Sequence, residues 1–163
     1  AVKGEGDGRF APERPVTRAE FAAMLARTLG LTGEAGASFK DVAPDQWFAG
    51  EVARLAQAGI VQGGPDGTFE PAKRITRQEM AVMIVRAYEY ATGQQAASGG
   101  EAKAFRDIAS VPEWSREAVL SAGRLGLANG NAGGEFRPMG EGSRAESAQM
   151  IYNLMQLMES NRD

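Results

Sequence analysis

The stretch Ile75-Thr76-Arg77-Gln78-Glu79, continued by Met80-Ala81-Val82-Met83-Ile84, decides how this chain is read. Its opening phrase recurs as Thr17-Arg18-Ala19-Glu20 and as Ser143-Arg144-Ala145-Glu146. Each copy follows an Asp-Gly or Gly-Gly turn and an aromatic-x-Pro step, and each opens an apolar pattern of helical period. A phrase repeated at wide spacing marks one structural unit used three times.

Most of the phrase is local physics. Ser/Thr-x-x-Glu before an apolar run is a capping box: the hydroxyl accepts from the N–H three residues on, and the glutamate reaches back to the cap's own N–H. Each cap is worth about 1 kcal/mol. The arginines do not follow from this. Arg18, Arg77 and Arg144 fall at the first helical position, where a cation opposes the helix dipole. Three misplaced cations imply partners outside their own helices. One candidate is a carboxylate of a neighbouring unit, which makes the arginine a staple between repeats. The other is an anionic ligand gripped by the forked guanidinium.

Outward from the phrase, the fullest unit spans residues 39–92. It opens with Phe39-Lys40-Asp41-Val42, and Asp45 is the expected N-cap of a front helix marked by Trp47, Val52, Leu55 and Ile60. Gly59 lies near that helix's expected end. A turn through Gly63-Gly64-Pro65-Asp66-Gly67 leads to the second helix, with Met80, Met83, Ile84, Ala87 and Tyr88 on one face. A third unit, residues 104–160, repeats the order from Phe105-Arg106-Asp107-Ile108 through Trp114 and Val119. It replaces the Asp-Gly turn by Gly133-Gly134, with Asn131 as its nearest polar candidate. The first unit, residues 1–31, is a second half only. There Lys3-Gly4 aligns with Gln62-Gly63, and the front helix with its tryptophan is missing. The three units are expected to build one composite all-α domain.

Composition narrows the function. The 163 residues carry a net charge of −3, too mild to argue for nucleic acid. Histidine and cysteine are absent, which removes thiol nucleophiles, imidazole or thiolate metal sites and any Ser-His-Asp triad. No apolar run is long enough to span a membrane. The Asp7-Gly8 and Asp66-Gly67 turns offer too few oxygen ligands for calcium. No pair of carboxylates faces one bond as a glycosidase requires. Neither a metal nor a cofactor is expected, and the chain does not read as an enzyme.

Taken together, Phe39 to Val42, Trp47, Gly59 to Gly63, Asp66 to Pro71 and Ile75 to Glu79 resemble the S-layer homology module. The resemblance covers nearly the whole chain as two and a half modules. It implies a secreted or surface protein of a bacterium, often Gram-positive, held non-covalently to a cell-wall polysaccharide that frequently carries pyruvate ketals on N-acetylmannosamine. It also implies a pseudo-threefold helical unit around a central bundle, with sugar-binding grooves between modules, and it assigns binding to the motif arginines, here Arg18, Arg77 and Arg144. A pyruvate ketal presents a fixed carboxylate that suits a guanidinium. Trp47 and Trp114 either stack on sugar rings or, as leaders of amphipathic helices, pack in the core. Gly4 and Gly63 either let a ligand approach the backbone or serve as turn residues with positive φ. Lys3 and Gln62, beside Gly4 and Gly63, are further glycan-binding candidates, and Lys3 and Lys73 offer further positive charge. Gln78 in place of alanine reads as a surface change. If each front helix supplied a third of the central bundle, the missing one would leave an apolar seam, filled by upstream residues or another chain. The rival reading is a helical scaffold for protein partners or S-layer assembly without direct glycan binding.

Overall fold

Each repeated phrase starts a helix. The computed structural model describes residues 12–36, 39–96 and 105–161. Their helices are α1 (Arg18–Leu29), α2 (Ala49–Gln57), α3 (Arg77–Thr92), α4 (Glu113–Arg124) and α5 (Arg144–Ser160), with a 3₁₀ turn at Ile108–Ser110 before α4. Among the described residues there is no sheet, only three isolated bridges, so the chain is all-α. Thr17, Thr76 and Ser143 each head a complete capping box with Glu20, Glu79 and Glu146. Gly30 and Gly93 end α1 and α3 in the left-handed conformation that glycine adopts freely.

The motif helices form the centre. α1, α3 and α5 each contact the other two, while α2 packs on α1 and α4 on α3. The expectation that front helices supply the bundle therefore does not hold. The reason is apolar content: Phe21, Leu25, Met80, Ile84 and Leu154 on the motif helices are fully buried, whereas α2 and α4 bury one side only. The core runs through all three units.

The segments entering the motif helices lock to one another in a cycle. Val16 N–H donates to Gly142 O, Gly142 N–H to Ile75 O, and Ile75 N–H to Val16 O, at 3.1, 3.0 and 2.9 Å. The first free N–H groups of each motif helix, normally orphans, form a second cycle that runs in the opposite sense. Arg18 and Ala19 donate to Lys73 O and Pro71 O, Arg77 and Gln78 to Gly140 O and Pro138 O, and Arg144 and Ala145 to Arg14 O and Pro12 O. Val16 and Ile75 fill the ring's interior, but the third equivalent is Gly142. A Cβ there would run into the Met80 sulfur, so the methionine occupies the space a side chain would take.

Two local expectations need correction. Asp45 does not cap α2, whose N-cap is Phe48 with no side-chain hydrogen bond. The chain turns first: Gln46 Oε1 accepts from Ala43 N–H, and Trp47 falls in that turn. Gln78 is not on the surface; it is 4% exposed and accepts from the Ser115 hydroxyl at 2.8 Å. Its neighbour α4 packs over the start of α3, so an amide there is buried and needs a partner.

Candidate functional site

The motif arginines leave their own helices and cross to the next unit. Arg18 Nε donates to Phe69 O at 2.8 Å, and its Nη1 lies 2.7 Å from Glu79 Oε2. The guanidinium also lies over the Phe69 ring, 4.8 Å from its centroid. Arg77 repeats this one unit on: Nε donates to Phe136 O at 2.7 Å, Nη2 to Asn129 O at 3.2 Å, and Nη1 pairs with Glu146. Its guanidinium lies 5.2 Å from the Phe136 ring centroid. The sequence motif thus holds two functions in one glutamate. Oε1 of Glu79 and Glu146 completes the capping box, and Oε2 takes the arginine of the preceding unit. Arg144 is buried at the equivalent place, with its backbone already bound to Arg14.

The carbonyls that receive these arginines are positioned by Asp41 and Asp107. The two oxygens of Asp41 accept from Phe69 N–H and Glu70 N–H, each at 2.8 Å, and those of Asp107 from Phe136 N–H and Arg137 N–H, each at 2.8 Å. The grip holds Glu70 and Arg137 at φ 61°, a left-handed conformation uncommon for a residue with a side chain. Burial alone pushes the Asp107 carboxyl up, but the hydrogen bonds from Phe136 and Arg137, its own N–H and the Arg77 charge outweigh it and hold the carboxyl below its ordinary value. Burial and the Arg137 charge lower Arg77, opposed by Asp107, and the guanidinium stays charged at any physiological pH.

Between these staples lies a groove of about 740 Å³. It joins three units: Arg18 from the first, Gln62 and Gly63 from the turn of the second, and Trp114 from the third, with Arg86 on the α3 wall. Trp114 is 63% exposed and Trp47 is 59% exposed, so neither is a core residue. Helical amphipathicity is satisfied without them, by Val52 and Leu55 on α2 and Val119 on α4. Trp47 and Arg77 do not line this groove. Trp47 stands beside Arg27, whose guanidinium is 5.9 Å from its ring, and Arg77 sits at the next interface. Lys3 and Gly4 lie outside the described residues. Lys73 does not line the groove itself but pairs at 3.6 Å with Glu70, which does.

Gly63 is glycine for a reason other than φ. The positive φ of this turn belongs to Gly67, at 80°. A Cβ at Gly63 would come within 2.8 Å of the Phe39 ring and 3.1 Å of Thr68 O. The third unit keeps the turn without its aspartate. Asn131 Oδ1 accepts from Gly133 N–H and Glu135 N–H, as Asp66 Oδ1 accepts from Thr68 N–H and its hydroxyl. Gly134 takes the positive φ of Gly67.

A family model of the S-layer homology domain matches residues 1–22, 38–81 and 104–148, well over half of the chain. The chain belongs to the S-layer homology family. S-layer homology modules are cell-wall anchoring units of bacterial surface proteins, and among the described residues no helix is long and apolar enough to cross a membrane. The chain is 38% identical over 157 residues to an amylopullulanase of Thermoanaerobacterium thermosulfurigenes, covering 95% of the chain and 8% of that protein. It is 38% identical to the exoglucanase XynX of Acetivibrio thermocellus, covering 95% and 14%. It is 35% identical over 153 residues to the S-layer protein sap of Bacillus anthracis, covering 93% and 18%. The chain therefore spans a small part of the length of these relatives.

Within this S-layer homology unit, sequence reasoning missed three contributors. Asp41 and Asp107 belong to the Phe-x-Asp-Val/Ile openings, but their grip on a turn 28 and 29 positions away is visible only in the fold. Arg86 sits on the exposed side of α3's apolar pattern, where a cation is ordinary. The signal that could have found it is its register with Arg27 on α1.

Proposed function

We propose that this chain anchors a bacterial surface protein non-covalently by binding an anionic, pyruvylated cell-wall polysaccharide in grooves between its S-layer homology modules. The observation that carries the reading is the convergence of Arg18, Gln62, Gly63 and Trp114, from three modules, on one open groove. Its parts suit a charged sugar. Trp114 offers an exposed aromatic face for a pyranose ring, and Gln62 an amide for hydroxyls. Arg18 keeps guanidinium N–H groups beyond those given to Phe69 and Glu79. The module is read as non-catalytic, its enzymatic relatives sharing only a small part of their length with it.

The outer side of α5 supports a second element of the proposal. α1 carries α2 and α3 carries α4, whereas α5 leaves Tyr152 and Met155 exposed. The front helix of the first module, from upstream residues or another chain, fits that side.

Sedimentation with purified cell walls, native and with pyruvate ketals removed by mild acid, tests the anchoring. Binding is expected to native walls and to be lost on ketal removal. Equal binding to both excludes the carboxylate mechanism, and binding to neither favours a protein scaffold.

A further inference from the structure

The position nine residues beyond each motif arginine holds Arg27 on α1, Arg86 on α3 and Asn153 on α5. The three have different fates. Arg27 Nη2 is 3.4 Å from Glu51 Oε2. Asn153 is neutral and donates to Leu127 O at 3.2 Å. Arg86 lines the groove, and no described residue hydrogen-bonds or pairs with it. The front helices packed on α1 and α3 differ at the corresponding register position. Four positions after Trp47 stands Glu51, which receives Arg27; four positions after Trp114 stands Ala118, which receives nothing.

The groove's other cation and two of its three carboxylates are paired, while Asp66 keeps its charge at the exposed turn. Arg18 is matched by Glu79 at 2.7 Å, Glu70 by Lys73 at 3.6 Å, and the Asp66 carboxylate is held by Thr68. Of the two cations lining it among the described residues, Arg86 alone has no carboxylate partner. An unmatched cation on a half-enclosed wall attracts an anion far more than one already paired. Glu79 and Arg86 share one face of α3, about 10 Å apart along its axis. A helical side chain is set back toward the N-terminus of its helix, which for Arg86 is the Glu79 and Arg18 end of the groove.

We propose that Arg86, rather than the motif arginine alone, neutralises the acidic group of the glycan, and that the groove holding Arg86 and Trp114 is the one selective for an anionic sugar. This rests on the glycan-anchoring reading. Arg18 then orients the ligand through its remaining N–H groups while Trp114 faces the ring.

Calorimetric titration with a purified wall-polysaccharide fragment, pyruvylated and de-ketalised, tests it. The wild type is expected to prefer the pyruvylated form. Arg86→Gln lowers affinity for that form about tenfold, the scale of one charge-assisted contact, and leaves the de-ketalised affinity unchanged. Ala118→Glu, which gives Arg86 the partner that Arg27 has, produces the same loss with the arginine intact. Arg27→Gln leaves both affinities unchanged. Full pyruvate preference in both Arg86→Gln and Ala118→Glu, with melting temperatures unaltered, overturns the assignment while anchoring stands. A wild type that binds neither form removes the anchoring reading and this assignment with it.

Discussion

Nη1 of Arg18 lies 2.7 Å from Oε2 of Glu79, while the other oxygen of the same carboxylate accepts from Thr76 N–H at 2.8 Å. One glutamate therefore closes its own helix and receives its neighbour's cation. That arrangement explains an arginine at a helix start, where the dipole opposes it. The guanidinium faces the next module's carboxylate and carbonyl, and these offset the local cost.

Glu79→Gln separates the two duties. The amide oxygen can still cap, but its NH2 faces the Arg18 guanidinium, donor against donor. The loss is expected at about 2 kcal/mol, against about 1 kcal/mol for Thr76→Ala, which removes only the hydroxyl cap. Urea denaturation of both variants measures the difference; equal losses would show that the ion pair adds nothing to stability.

Arg77 has three of its nitrogens committed within the protein. Arg77→Ala leaves the Glu146 carboxylate and the Phe136 and Asn129 carbonyls without their donor, and is expected to lower stability by about 2–3 kcal/mol. The thermal midpoint reports it. A variant as stable as the wild type would make this staple dispensable.

Gly142→Ala sets a Cβ against the Met80 sulfur at the centre of the ring. Overpacking there is expected to cost about 1–3 kcal/mol. Adding Met80→Ala frees the space, so the double variant is expected to be more stable than the sum of the single changes predicts. Additive losses in a double-mutant cycle would locate the strain elsewhere.

Trp114→Ala removes an exposed ring on α4. Stability is expected to change by no more than about 0.5 kcal/mol. Wall binding is expected to fall several-fold, measured by sedimentation. A drop in the melting temperature with binding intact would return the tryptophan to a packing role.

Asp107 gives the pH dependence. Its folded value lies below the unfolded one, so its stabilisation is present above about pH 4, the ordinary aspartate value. It is lost as the pH falls through the lowered folded value. The stability gap between wild type and Asp107→Asn is expected to be full at pH 7 and to shrink below pH 4. A gap independent of pH would mean that the carboxylate's charge has no part in gripping the Phe136 turn.

The three helix starts were legible because a capping box is complete within four residues. Gly59 and the apolar faces of α1 and α3 were legible for the same reason, since periodicity is local. What remained hidden depends on distance along the chain. The partner of Arg18 stands 61 positions away, and no local rule selects Glu79 over water or a ligand. Gln78 looked exposed because nothing nearby announces that α4 covers it with Ser115. Asp45 looked like a cap, yet the Gln46 side chain took the turn and moved the helix start to Ala49. The tryptophans gave the same local signal as core aromatics, and only the packing left them outside.

The cycle through Val16, Gly142 and Ile75 bears on how an anchor carries load. In an open stack of repeats each unit touches only its sequence neighbours, so tension can peel the array from a free end. Here the entry to the first motif helix is hydrogen-bonded to the entries of the second and the last. Among the described residues, a pull on any one motif helix is shared by the other two through these hydrogen bonds.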